Sequence, residues 1–260
     1  MTLPDKQRIR ESFARAAAGY DAAAVLQREV CARLLAALDD ATAPPPADVL
    51  DAGCGTGYGA GLLHARWPQA AIVAADFAES MTATTRRQAP AGTACAVADI
   101  EALPFAGARF DLWWSSLTVQ WCDAATVLAE AARVLRGDGQ LALSTLGAGT
   151  FAELRAAFAG VDRHRHTLDF AAAERLAETA QAAGLREVRL RRETLTLHYP
   201  DLKALLGAVK AIGANALGAG RRPGMMGKAA WQAAAAAYER QRVAAGLPAS
   251  YDVILLTAKK

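Results

Sequence analysis

The chain of 260 residues lacks most of the features that mark secreted, membrane-spanning or metal-organised proteins. It has only four cysteines, which are scattered without a Cys-x-x-Cys pair, so neither disulfides nor structural zinc are expected to organise the fold. No apolar stretch approaches the ~18–20 residues that span a bilayer. The N-terminus is charged from Asp5 onward and has no hydrophobic signal region, which predicts a cytoplasmic protein without membrane partners.

Charge is unevenly distributed along the chain. Residues 1–150 carry 12 Lys and Arg against 16 Asp and Glu, a net of −4, whereas residues 151–260 carry 17 against 10, a net of +7. A basic half suits an acidic partner, and a solvated basic face without a partner is the alternative. Nucleic acid is not expected as a partner, because the sequence pI of about 8.7 is modest and the basic residues are not interleaved with aromatics.

The apolar patterning predicts a doubly wound α/β fold. Helical spacing runs from about Asp5 to Leu38, with a break near Gly19, and the prolines at 44–46 end it. Short apolar runs then alternate with helical patterns, which is typical of a parallel sheet covered by helices. Strands are predicted at 49–50, 71–75, 94–98, 110–115, 140–146, 188–199 and 251–257, and helices at about 124–135, 170–183, 201–212 and 228–244.

A glycine-rich segment, Asp51-Ala-Gly53-Cys-Gly55-Thr-Gly57, follows the first predicted strand and opens a helix. Glycines at such a turn let the backbone approach a ligand, although a tight turn without any ligand needs them as well. The spacing differs from the Gly-x-Gly-x-x-Gly of dinucleotide folds. The preceding carboxylate of Asp51 suits a cationic or hydrogen-bond-donating ligand better than a pyrophosphate.

Two further acidic residues end the second and third predicted strands. Asp76 stands where an acceptor for ribose hydroxyls is expected, and Asp99 is placed to meet an adenine amino group. Each residue alone is more often a helix cap or a solvated turn residue. Because open α/β sheets bind ligands at the carboxyl ends of their strands, the set with Asp51 predicts a ligand site at that edge.

This combination resembles the Rossmann-like S-adenosylmethionine-dependent methyltransferases over about residues 48–146. The resemblance implies an α/β fold with a mostly parallel sheet of about seven strands, an antiparallel terminal strand, and S-adenosylmethionine as the cofactor. It implies cofactor contacts from Gln27, Asp51, Gly53, Gly55, Gly57, Asp76, Phe77, Met81, Asp99, Ile100, Ser115 and Leu117.

Segments outside that core narrow the resemblance to the malonyl-acyl-carrier-protein O-methyltransferases of biotin synthesis. The similar segments are residues 15–21, 25–28, 115–122, 209–215 and 220–223. They imply a single methyltransferase domain over 1–260, with an N-terminal helical lid (1–43), a cofactor-binding core (47–146) and a substrate-side half (147–260). The last part carries a helical insertion (201–247) before the terminal strand (251–257), and we expect the protein to be a monomer.

The implied reaction converts the free carboxylate of a malonyl thioester on acyl carrier protein, an acidic partner suited to the basic half, to its methyl ester. A carboxylate is ionised near pH 7, so no general base and no metal are expected, and the enzyme acts by positioning. The implied positioning and substrate residues are Tyr20, Gln120, Trp121, Arg165, His166, Lys210 and Arg221. The alternatives are carboxyl methylation of a small free acid such as trans-aconitate, quinone-type C-methylation, and an inactive cofactor-binding module.

Overall fold

The computed structural model describes residues 5–38, 44–161, 164, 166–214, 224 and 226–260. Within them, seven strands form one sheet in the order β3-β2-β1-β4-β5-β7-β6, and β7 is antiparallel to both of its neighbours. The strands are β1 (Asp48–Ala52), β2 (Ala71–Asp76), β3 (Ala94–Val97), β4 (Phe110–Ser116), β5 (Leu135–Leu146), β6 (Arg186–Tyr199) and β7 (Leu247–Lys259). The predicted α/β class, with a mostly parallel sheet and an antiparallel terminal strand, is confirmed.

Helices cover both faces of this sheet. They are α1 (Lys6–Ala16), α2 (Tyr20–Ala23), α3 (Val25–Ala37), α4 (Tyr58–Arg66), α5 (Glu79–Gln88), α6 (Ala124–Val134), α7 (Ala152–Phe158), α8 (Ala173–Ala182), α9 (Leu202–Ala211) and α10 (Lys228–Glu239), with a 3-10 turn at Val119–Trp121. Adjacent residues of β4 show how the two layers form, because Trp113 packs into the layer with α6 and α8, and Trp114 into the layer with α3 and α4. Strands covered on both faces are apolar throughout, which explains their continuous apolar runs.

Two strands, β5 and β7, begin well before their predicted starts. β5 begins at Leu135 rather than at residue 140, because Leu135 pairs with Phe110 of β4. The guanidinium of Arg136 also holds this segment in place, since its nitrogens lie 2.8 Å from the Asp48 carboxylate and 2.7 Å from the Asp111 carboxylate. β7 begins at Leu247, inside the predicted insertion, because it pairs with β6 along nearly its whole length. The sequence also missed the short helix α7. No helix in the described ranges is long and apolar enough to cross a membrane.

The N-terminal helices lie over the carboxyl ends of the central strands. The Phe13 ring on α1 packs edge-on against Trp121, with centroids 5.6 Å apart, and the Lys6 ammonium lies 2.5 Å from the Asp99 carboxylate beyond β3. On α2, the Asp21 carboxylate accepts a hydrogen bond of 2.6 Å from the hydroxyl of Thr56 in the glycine turn. These contacts, between residues far apart in sequence, enclose the predicted ligand edge.

Candidate functional site

The glycine turn after β1 lets the backbone pass directly beside the end of β4. Gly53 has a φ of 81° and its N–H donates to the carbonyl of Ala75 at 2.7 Å. A Cβ atom at Gly53 would lie 2.3 Å from the hydroxyl oxygen of Thr118, so a side chain fits neither the conformation nor the space. Gly53 and Gly55 therefore present bare backbone to the space above the sheet.

Asp76 is fixed beneath that space by two backbone groups. Its carboxylate accepts hydrogen bonds from the N–H groups of Gly55 at 3.0 Å and Ala78 at 2.8 Å. Burial raises the pKa of Asp76 to about 6, although these two donors stabilise the ionised form. The carboxylate is thus a rigid acceptor at the end of β2.

A first cavity opens between α1 and the ends of β2, β3 and β4. Its lining includes Tyr20, Gly53, Gly55, Asp76, Phe77, Met81, Asp99, Ile100, Ser116, Leu117 and Trp121. Asp99 stands at its rim, and the ammonium of Lys6 lies 2.5 Å from this carboxylate and 2.6 Å from that of Glu101. An apolar slot with acidic residues at two points suits a flat ring system bearing hydroxyl and amino donors.

A second cavity continues from the first along the glycine turn toward α3. Asp51 and Gln27 line it; Asp51 is buried, and Gln27 is half-buried with its Oε1 atom inside. Among the described residues, Asp51 Oδ2 and Gln27 Oε1 have no hydrogen-bond partner. Burial, reinforced by Asp76, raises the pKa of Asp51 to about 7, while the Ala60 N–H opposes the shift. Two buried acceptors on one cavity match a ligand that brings donors and positive charge.

A third cavity adjoins the first and has mainly apolar walls. Its polar lining residues include Gln27, Gln120, His166, Thr167 and Lys210, among side chains from α7, α9 and β7. Phe13, Tyr20, Leu117 and Trp121 line both the first and the third cavity. Tyr20 lines all three, so ligands in neighbouring cavities would meet beside it.

The Tyr20 phenol stays protonated in this setting. Burial raises its pKa above the ordinary value, and the thiol of Cys31 and the carboxylates of Asp76 and Asp21 add to the shift. At neutral pH the hydroxyl can therefore donate a hydrogen bond, but it cannot act as a base.

Gln120 supports the junction of the cavities through its neighbour Leu117. Its amide nitrogen donates to the Leu117 carbonyl at 2.6 Å, and its amide oxygen accepts from the Thr145 hydroxyl at 3.2 Å. Leu117 has a φ of 51°, and its N–H donates to the Ser144 carbonyl at 3.0 Å. Clamped from both sides, this turn projects Leu117 between the first and third cavities.

Comparison of the sequence with known proteins identifies the family of this chain. A methyltransferase-domain model matches residues 50–143. The malonyl-[acyl-carrier protein] O-methyltransferase of Dechloromonas aromatica is 50% identical over 260 residues, which cover 100% of this chain and 96% of that protein. The chain belongs to the malonyl-[acyl-carrier protein] O-methyltransferase family. It is therefore an S-adenosylmethionine-dependent methyltransferase, as the sequence predicted.

One further relative and one solved structure are also similar to this chain. The biotin biosynthesis bifunctional protein BioHC of Cellvibrio japonicus is 38% identical over 263 residues, which cover 100% of this chain and 51% of that longer protein. The YcgJ protein of Bacillus subtilis, a solved structure, superposes with a TM-score of 0.61 at 17% identity, covering 87% of this chain and 97% of that one. The second similarity shows the fold that this O-methyltransferase shares.

The structure brings most of the predicted site residues of this methyltransferase to the cavities. Ser115 is an exception, because it is fully buried in the sheet and its neighbour Ser116 lines the first and second cavities instead. Arg165 and Arg221 lie outside the described residues. The sequence missed Lys6, Phe13, Thr118 and Cys122 as lining residues. Thr118 and Cys122 lie in the family-like segment 115–122, whereas no local signal marks Lys6 and Phe13. In the described part of the chain, no group of metal-ligating side chains is present.

Proposed function

We propose that this protein methylates the free carboxylate of a malonyl group carried as a thioester on acyl carrier protein, an early step of biotin synthesis. The observation that carries the proposal is the joining of the first and third cavities at Tyr20, Leu117 and Trp121. Two adjoining cavities fit the transfer of a group from a ligand in one cavity to a ligand in the other. The substrate class comes from the O-methyltransferase of Dechloromonas aromatica, which is 50% identical along the whole chain.

The first and second cavities fit S-adenosylmethionine. In our assignment, Asp76 accepts hydrogen bonds from the ribose hydroxyls, and Asp99 faces the adenine amino group. Asp51 Oδ2 and Gln27 Oε1, which have no hydrogen-bond partner among the described residues, accept hydrogen bonds from the ammonium of the methionyl group. When bound, this cofactor supplies an activated methyl group on a sulfonium centre. The acceptor-rich lining compensates a cation, which explains why two buried carboxylates are retained close together.

The substrate needs orientation rather than deprotonation. A free carboxylate has a pKa near 4 and is already nucleophilic at neutral pH. The aromatic and leucine side chains at the junction exclude water, and the protonated Tyr20 hydroxyl can donate a hydrogen bond that aligns the carboxylate. Gln120 keeps the Leu117 turn in place through its two hydrogen bonds.

We assign the recognition of the malonyl carboxylate to Lys210, in the last turn of α9. Lys210 lines the third cavity, which is otherwise largely apolar, and its charge would attract an acid that enters there. His166 lines the same cavity and stacks on Phe158, with ring centroids 3.9 Å apart. The acidic carrier would approach the basic half, where residues 151–260 carry a net charge of +7.

The test is methyl transfer to a purified malonyl-carrier, with malonyl-coenzyme A and free small acids such as trans-aconitate in parallel. Intact-mass spectrometry should show the carrier gaining one methyl group, which mild base then removes as expected for an ester. No mass gain on the carrier, or faster turnover of a free acid, would contradict the proposal.

The role of Lys210 has a matched control on the same helix. Lys203 is also on α9 and does not line the described cavities. Replacing Lys210 by Gln should raise KM for the malonyl carrier about tenfold or more, because an ion pair with the substrate is lost. Lys203→Gln should leave KM within about twofold. Equal effects of the two substitutions on KM would show that Lys210 contributes only general positive charge and does not recognise the substrate carboxylate.

A further inference from the structure

The turn that follows β5, residues 147–151, is hydrogen-bonded to β7 mainly around one buried residue, Asp252. Asp252 is 6% exposed, and its Oδ2 accepts a hydrogen bond from the Gly149 N–H at 3.0 Å. The Asp252 carbonyl accepts from the Gly147 N–H at 2.7 Å, and its own N–H donates to the Thr150 hydroxyl at 3.1 Å. A Cβ at Gly147 would lie 2.5 Å from Asp252 Oδ2, so the turn fits closely around this side chain.

Arg192 on the neighbouring strand β6 holds that carboxylate from the other side. Its Nε lies 3.2 Å from Asp252 Oδ1, and its terminal nitrogen lies 2.9 Å from Oδ2. A two-point guanidinium–carboxylate contact fixes orientation as well as distance. Neither Arg192 nor Asp252 lines any of the three cavities, so neither side chain would touch a ligand bound in them.

The turn ends at Phe151, which faces the third cavity. Phe151 has a φ of 57°, a conformation that residues with a side chain rarely adopt, and its N–H donates to the Ser250 carbonyl at 2.7 Å. Such a conformation persists only where the surroundings hold it. The Phe151 ring packs against Tyr251 with centroids 4.8 Å apart, and both rings line the third cavity.

We propose that Asp252 and Arg192 are positioning residues that hold Phe151 as a wall of the substrate cavity and thereby limit the length of the acyl chain it accepts. The proposal rests on the proposed function, since it treats the third cavity as the acyl site. The chain enters as a thioester and its carboxylate must reach the junction at Tyr20, so each extra methylene needs space beside this wall.

The experiment compares kcat/KM for malonyl, succinyl and glutaryl carriers. Phe151→Leu, which removes the ring and keeps an apolar side chain, should raise the succinyl-to-malonyl ratio about tenfold, since one methylene in an apolar pocket changes selectivity by about 10–200-fold. The glutaryl-to-malonyl ratio should rise at least as much, because glutaryl is two methylenes longer than malonyl. Arg192→Gln should shift the ratio in the same direction by about threefold or more and raise KM, with affinity for S-adenosylmethionine unchanged. Arg192→Lys should restore part of the selectivity.

Arg191→Gln is the matched control, because this neighbouring arginine pairs with Glu193 instead of Asp252. If Arg192→Gln and Arg191→Gln give the same selectivity ratio, the proposal is overturned, and an unchanged ratio in Phe151→Leu overturns it as well. Absence of any turnover by the unmodified enzyme would instead count against the proposed function. Amide hydrogen exchange at Gly149 and Phe151 then tests the fastening without substrate: faster exchange in Arg192→Gln than in Arg191→Gln supports it, and equal exchange refutes it.

Discussion

Affinity for S-adenosylmethionine should fall as the pH decreases from 7 to 5.5, because Asp51 becomes protonated. In our assignment this carboxylate receives the ammonium of the cofactor, so only its ionised form binds well. Asp51 is 2% exposed, and burial with the nearby Asp76 raises its pKa to about 7. The cofactor amino group stays largely protonated over the same pH interval, so the change in affinity reflects titration of the protein rather than of the cofactor.

The expected size follows from the titration of the one group. With a pKa of about 7, Asp51 is ionised in about half of the molecules at pH 7 and in about 3% at pH 5.5. The apparent Kd should therefore increase about sixteenfold across this interval. Asp76, with a pKa of about 6, can add at most about fourfold. Binding near pH 6.5 should also release about three quarters of a proton from Asp51.

Isothermal titration calorimetry measures both quantities when it is repeated in buffers of different ionisation enthalpy. Asp51→Asn should bind more weakly at pH 7 and keep only the shallow slope attributable to Asp76. Asp99→Asn is the control, because it alters the adenine end of the cavity and leaves Asp51 intact, so its slope should match the unmodified protein. A full slope and full proton release in Asp51→Asn would refute this role for Asp51.

Three other outcomes follow from the same site. The pKa of Asp51 lies above its value in the unfolded chain, so the ligand-free protein loses stability as the pH rises from about 4 to 7. Asp51→Asn should therefore raise the free energy of unfolding at pH 7.5 by roughly 2–4 kcal/mol. It should have little effect at pH 4, and denaturant titrations at the two pH values measure both quantities. Gly53→Ala, whose Cβ would meet the Thr118 hydroxyl at 2.3 Å, should abolish measurable cofactor binding in a thermal-shift assay. Gly207→Ala is the control, because no atom of the described residues lies within 4 Å of its Cβ and it lines none of the three cavities; it should be neutral or stabilise α9 by about 1 kcal/mol. Lys6→Met should speed cofactor dissociation about two- to fivefold in stopped-flow measurements at low salt, and the difference should shrink at high salt, because the pair it loses is partly exposed.

The arrangement that we propose for the cofactor was predictable because its signals are local in sequence. A strand, a glycine turn and a helix follow one another within residues 48–66, and each of the acids Asp51, Asp76 and Asp99 stands at or just beyond a strand end. Parallel strands bring these positions to one edge whatever the detailed packing. Ser115 was predicted in place of Ser116 for a related reason. Successive strand residues face opposite sides of a sheet, so a shift by one residue moves the prediction from the residue that lines the cavity to one that is buried in the sheet.

The substrate half was not predictable to the same degree, because its walls come from segments with no common local pattern. The third cavity combines Phe13 of α1, Phe151 after β5, Lys210 of α9 and Tyr251 of β7. Their meeting depends on how β7 inserts between β5 and β6, which juxtaposes the turn at Gly149 with Asp252. Such long-range hydrogen bonds leave no periodicity in the sequence. Specificity for the acyl chain is therefore expected to depend on tertiary contacts outside the motifs that identify the cofactor.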